Sequence, residues 1–273
     1  MFARLIAFVS FLGRLRRRLT GVGIGRTAAS LAFTTLLGLV PLFTVALAYV
    51  SRFPLFARSQ DALEAFLLRF FLPTSGAIVR NYLTEFVAKS AELKGVSTLF
   101  VVVTAVLLVA QVEQEINAIW GTREPRSLPR RVFVYALGLT AGPALIGAAV
   151  FFINWLIERS IATTSIGAEA LTLLGQPLAL LVDTTVFTLI YAFVPVRPVP
   201  FRLALAGGLL AAIAFEVAKH GFRFYISQVP TYEVIYGALA TLPLFLIWIY
   251  VSWVIVLVGA AITATLAERG RSR

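Results

Sequence analysis

Cysteine is absent from this 273-residue chain, so disulfides, thiolate nucleophiles and cysteine-based metal sites are excluded, and the redox state of its compartment stays open. Charge is scarce too: 14% of residues are charged, against about 25% in an average soluble domain. Such a chain lacks the polar surface to cover a water-facing globule, and lipid is its expected solvent. No glycine-rich phosphate loop ending in Lys-Ser or Lys-Thr occurs, which leaves an ion gradient or a partner to drive any active transport. Internal repeats are missing, and so is the alternation over about ten residues that a transmembrane barrel strand needs.

What the chain has instead is apolar length. Hydrophobic residues make up 59% of it, and about 20 consecutive apolar residues cross a hydrocarbon layer roughly 30 Å thick as a helix, whose backbone polar groups pair internally. The expected fold is an all-α polytopic membrane protein with six spans, at about 27–50, 96–111, 132–157, 170–194, 201–227 and 238–266. Between the first two spans, residues 51–95 hold apolar clusters too short to cross, broken by Arg69, Pro73, Arg80, Glu85 and Lys89. They read as short amphipathic or re-entrant helices at the outer interface. Gly21, Gly23 and Gly25 precede the first span, Gly121 ends the polar extension of the second, and Pro195, Pro198 and Pro200 stop the fourth. Prolines fall inside spans one, three, four and six, at Pro41, Pro143, Pro177 and Pro243. Kinks there open cavities or act as hinges, although membrane bundles without transport roles carry them as well.

A formal charge of +11 is compatible with nucleic acid, but its distribution favours lipid. Residues 1–26 form a basic segment in which Phe2–Leu19 reads as an amphipathic interfacial helix, with Arg4, Arg14, Arg16, Arg17, Arg18 and Arg26 facing anionic headgroups. A cleaved signal peptide is the weaker reading, because these charges follow the apolar stretch and no small-residue cleavage site is present. With the amino terminus inside, 15 of the 24 basic residues fall on the inner side, including Arg123, Arg126, Arg130, Arg131, Arg197, Arg202 and the 267–273 tail. The positive-inside rule then places both termini in the cytoplasm.

Several spans carry ionisable or amide residues. A charge at bilayer depth costs about 2.5–3.5 kcal/mol on insertion scales, so each is a functional candidate with a partner to be named. Glu216, Lys219, His220 and Arg223 follow at helical spacing on span five. They read either as a site for an anion, headgroup or proton or as an intrahelical ion pair anchoring the span. Ala204, Gly208 and Ala212 stand on the Glu216 ladder and allow another helix to approach closely, so the stripe is expected to face protein or a cavity rather than lipid. Asp183, the deepest acid, is expected to accept from Thr184, Thr185 or Thr188 or to pair with a cation of span five, as a proton or cation site or as a polar clamp. Gln111, Glu113, Glu115 and Asn117 at the inner end of span two read as a cytoplasmic mouth or helix cap. Tyr232, Tyr236, Trp248, Tyr250 and Trp253 read as interface anchors and packing residues.

Four stretches resemble the YihY/BrkB family of bacterial inner-membrane proteins: Ala28-Ala-Ser-Leu-Ala-Phe-Thr-Thr-Leu-Leu-Gly-Leu-Val-Pro-Leu42, Asn117-Ala-Ile-Trp-Gly-Thr-Arg-Glu-Pro-Arg126, Phe215-Glu-Val-Ala-Lys219 with Gly221 and Phe222, and Tyr236-Gly-Ala-Leu-Ala-Thr-Leu-Pro-Leu244 running on to Trp253. The resemblance runs from Gly21 to about Ala260 and implies six helices with cytoplasmic termini in the inner membrane. It implies little about activity, since members are described as transporters or virulence-associated proteins. A ribonuclease label carried by some members finds no support, because the single histidine, His220, falls in or at the end of a span and Glu113, Glu115 and Glu124 lack metal-ligand periodicity. The expectation is a non-enzyme without cofactor or metal, partnered by membrane lipids and not by nucleic acid. It moves an anionic or amphipathic solute, ion or lipid through a cavity between spans one, four, five and six, or else acts as a scaffold recruiting an envelope or cytoplasmic partner through 51–95 and the Arg123–Arg131 loop.

Overall fold

The computed structural model describes residues 2–50, 96–122, 127, 129, 131, 134–135, 167–228 and 241–271. The outer segment 51–95, the third span apart from Val134 and Tyr135, Pro143, Glu124, Tyr232 and Tyr236 lie outside the described residues, as does the side chain of Pro41. The long described elements are α1 (Phe2–Val22), α2 (Ile24–Val50), α3 (Val96–Ile119), α4 (Gly167–Phe193), α5 (Phe201–Gln228) and α6 (Thr241–Arg271). No strand occurs among the described residues.

Backbone chemistry sets the joints. Of the three glycines before the first span, Gly23 makes the break: its φ of 67° is left-handed, and its carbonyl accepts from the N–H groups of Arg26 at 2.9 Å and Thr27 at 3.1 Å. Gly25 lies inside α2. The helix therefore begins slightly earlier than the apolar pattern implies. Gly121, at φ 66°, closes α3 as expected, with Thr122 N–H donating to Asn117 O at 3.1 Å and Gly121 N–H to Ala118 O at 3.0 Å. That is the paired bonding of a glycine-terminated helix. The proline-rich turn after Phe193 ends at Pro200, whose carbonyl accepts from Leu203 at 2.9 Å and Ala204 at 3.1 Å to start α5.

α5 packs between α4 and α6, α6 also lies along α2, α2 meets α3, and α1 rests on α6. Two adjacent glycines make the centre possible. Successive helical residues point about 100° apart, so Gly207 faces Thr263 of α6 while Gly208 faces Thr188 of α4. A Cβ at Gly208 would stand 2.8 Å from the Thr188 backbone nitrogen, which cannot swing aside. Gly259 of α6 similarly receives Tyr191, whose hydroxyl donates to Val256 O at 2.9 Å. Rings fill the space beyond: Phe215 lies 5.7 Å from Phe187 and 5.4 Å from Trp248, centroid to centroid. Trp253 Nε1 donates to Thr35 Oγ1 at 2.9 Å, fastening α6 to α2.

The outside is apolar as well. Leu205, Leu209, Ile213 and Val217 are exposed at four-residue spacing along α5, and Phe33, Leu37, Leu107 and Leu181 are exposed on α2, α3 and α4. An apolar outer belt of this extent suits lipid and not water. Among the described residues, Phe201–Ser227 and Pro243–Glu268 are long and apolar enough to cross a bilayer.

Gly208→Ala should lower the thermal midpoint in detergent, at a cost on the order of 1–3 kcal/mol for overpacking. Gly221→Ala, where a Cβ meets nothing within 4 Å, should raise it slightly through helix propensity. Equal midpoints for the two variants would refute the close-approach account.

Candidate functional site

The seam between α4 and α5 holds three charged side chains in mutual contact. Asp183 on α4 is 3% exposed. Lys219 Nζ donates to Asp183 Oδ2 at 3.0 Å and to Glu216 Oε1, one turn back on its own helix, at 2.7 Å. The same ammonium lies 5.3 Å from the centroid of the Phe215 ring. A lysine suits this place because its flexible stem brings three rotatable donors to acceptors on two helices. Its position is deep: Lys219 is 18 residues into α5, about 27 Å along the axis at 1.5 Å per residue. With two carboxylates for one ammonium, the cluster carries one negative charge in excess when all three groups are ionised.

The sequence stripe divides at this point. Glu216 and Lys219 turn towards α4, whereas His220 and Arg223 are exposed and bond to their own helix. His220 Nδ1 lies 2.8 Å from Glu216 O, and Arg223 Nε donates to Lys219 O at 3.3 Å. Of the two partners expected for Asp183, the structure shows the cation and not the threonines. Thr185 Oγ1 donates to Leu181 O at 2.8 Å, while Thr184 Oγ1 and Thr188 Oγ1 are buried without a hydrogen-bond partner.

At the far end of α3, three of the residues read as a cytoplasmic mouth or helix cap, Gln111, Glu113 and Asn117, bond to neighbouring segments. Asn117, 5% exposed, accepts from Val196 N–H at 2.7 Å and donates to Glu113 O at 2.9 Å, tying α3 to the α4–α5 turn. Glu113, 6% exposed, accepts from the Tyr135 hydroxyl at 2.5 Å, and Arg131 Nε donates to that same hydroxyl at 2.8 Å. Gln111 Nε2 donates to Ser30 Oγ of α2 at 3.1 Å. Tyr135 escaped the sequence reading because it stands 22 residues from its carboxylate partner, in a different predicted element. Glu115 is half-buried, and loss of solvent raises its carboxyl above the ordinary value.

Lys219→Met should destabilise the protein by about 3–5 kcal/mol by leaving buried carboxylates without a counter-charge, and the triple variant with Asp183→Asn and Glu216→Gln should recover most of that loss. Thermal unfolding in detergent reads both, and a mild single variant would refute the bridge. Glu115 gives a separate pH test. A raised carboxyl binds its proton more tightly in the folded state, so its ionisation opposes folding at neutral pH and that penalty vanishes as pH falls below the unfolded value. Glu115→Gln should therefore stabilise at pH 7 and make no difference in acid.

Comparison with known proteins agrees with a membrane environment for this chain. The family described as "Virulence factor BrkB" matches residues 15–273. A UPF0761 membrane protein of Verminephrobacter eiseniae (strain EF01-2) is 41% identical over 253 residues, covering 92% of this chain and 61% of the relative. Another, from Alkalilimnicola ehrlichii (strain ATCC BAA-1101 / DSM 17681 / MLHE-1), is 42% identical and covers 91% of this chain and 56% of its own length. A third, UPF0761 membrane protein VP0125 of Vibrio parahaemolyticus serotype O3:K6 (strain RIMD 2210633), is 36% identical over 96% of this chain and 83% of the relative. The chain thus spans about three fifths of the length of the first two relatives. No solved structure matches it. By the extent of the family match and the identity to these relatives, the chain belongs to the BrkB virulence factor family and is a membrane protein.

Proposed function

We propose that this protein is a six-span inner-membrane protein with both termini in the cytoplasm, and that it moves an anionic or amphipathic solute, a lipid included. Uptake of a proton or cation at the Asp183–Lys219–Glu216 cluster drives the movement. One observation carries the reading: Lys219 bonds Asp183 across the α4–α5 seam and Glu216 on its own helix, so with all three groups ionised the cluster has one negative charge in excess within two apolar helices. A buried ion pair alone would need no third charge, whereas uncompensated charge at bilayer depth is expensive and invites neutralisation. Adding a proton or a monovalent cation balances the cluster and loosens the hold of Lys219 on one helix.

The seam is packed in this conformation: the Phe215 ring lies against the Lys219 ammonium, and edge-on and tilted ring contacts run on through Phe187, Trp248 and Phe222. Movement of a solute therefore requires α4 and α5 to part, and neutralising Asp183 removes the bond that crosses between them. The scaffold reading rests on residues 51–95 and 123–131, nearly all outside the described residues, and has no observation here in its favour.

The test uses the full chain in vesicles of phosphatidylethanolamine and phosphatidylglycerol carrying fluorescent phosphatidylglycerol, with dithionite quenching to report leaflet exchange. Wild-type protein should accelerate exchange when the outside is acidified. Asp183→Asn, verified as folded by circular dichroism, should remove the dependence on the gradient. Exchange no faster than in empty vesicles, or an unaltered Asp183→Asn protein, would sink the proposal.

A further inference from the structure

Four separate parts of the chain converge at the end of the bundle where α5 begins. Arg18 of α1, Trp120 just beyond α3, Arg197 and Pro198 of the α4–α5 turn, and Ala264 and Glu268 of α6 line one small cleft. Arg18 Nη2 contacts Glu268 Oε1, yet Arg18 Nη1 is buried with no hydrogen-bond partner among the described residues. Arg197, which lines the same cleft, is exposed. Trp120, only 7% exposed, supplies an apolar wall.

The surrounding charge decides what such a cleft attracts. α3, α4 and α6 all end on this side, and each carboxyl end contributes about half a negative charge. Glu268 and the half-buried Glu115 add carboxylates. Against them stand Arg14, Arg16, Arg17, Arg18, Arg26, Arg197 and Arg202, and Arg131 beside Glu113. The arginines exceed what the helix ends and carboxylates balance, so the end face is electropositive. Arginine presents a planar fork of donors that matches phosphate oxygens, and an unpaired buried donor gains most from an acceptor.

We propose that this cleft is a phosphate-binding site, fitted by the headgroup of an anionic lipid in the adjoining leaflet or by a small soluble phosphate. Arg18, held in place by Glu268, and Arg197 provide the two cations of the site. The indole of Trp120 and the small Ala264 border the glycerol portion. This site lies far from the Asp183 cluster and does not depend on transport.

Full-length protein in phosphatidylcholine nanodiscs containing phosphatidylglycerol, examined by native mass spectrometry, provides the test. Wild-type protein should retain phosphatidylglycerol in preference to phosphatidylcholine, and Arg197→Gln should lower that retention about tenfold, the loss of one charge-assisted contact. Arg202→Gln, in the same region but off the cleft, should leave it unchanged. Arg197 is an exposed turn residue, so its variant is expected to fold. The second arm uses lipid-free detergent: a rise in thermal midpoint with glycerol 3-phosphate that Arg197→Gln abolishes would support the site and assign it to soluble phosphate. Equal losses for Arg197→Gln and Arg202→Gln would show diffuse surface charge and overturn the proposal. So would the absence of both phosphatidylglycerol preference and a midpoint shift.

Discussion

Close approach of α4, α5 and α6 at Gly207, Gly208 and Gly259 is the constraint on which the other features depend. In lipid there is little hydrophobic gain from bringing helices together, so association relies on packing and on polar contacts that small residues permit. Without side chains at these positions, Thr188, Thr263 and Tyr191 reach the opposing backbones. The resulting narrow seam brings Lys219 within 3.0 Å of Asp183. Glycine spacing and buried charge are therefore two aspects of one interface.

A second set of contacts holds the opposite end of the bundle. Asn117 binds the α4–α5 turn, Glu113 binds Tyr135, and Arg18 of the first helix contacts Glu268 of the last. These bonds join segments far apart in sequence, so the end face behaves as one unit. The electropositive end lies where α5 begins, and the charged seam lies past the middle of the same helix.

Exposed positions show how lipid changes the ordinary rule of burial. Leu205, Leu209, Ile213 and Val217 face outward while Asp183 and Tyr191 face inward. A water-soluble helix would reverse this. Inside-facing polar groups in such a bundle need partners within the protein, and the Lys219 bridge and the Tyr191 bond to Val256 O provide them.

The apolar runs by themselves determined the helical class and the lipid environment, because backbone groups in hydrocarbon must pair internally whatever the neighbouring helices do. Gly121 and the Pro195–Pro200 turn were legible as helix ends, since their backbone limits are local. The pairing of the Gly208 ladder with another helix was legible for the same reason: small side chains at four-residue spacing have one physical use. Only the tertiary structure decided that Lys219 chooses Asp183 over leaving it to the threonines, and that His220 and Arg223 stand aside from the cluster. It also bonded Glu113 to Tyr135 and Asn117 to the α4–α5 turn, and made Gly207 the partner of Thr263. Those outcomes depend on which faces meet across helices distant in sequence. Helical periodicity fixes a residue's direction around its own axis, but not the identity of the side chain it meets.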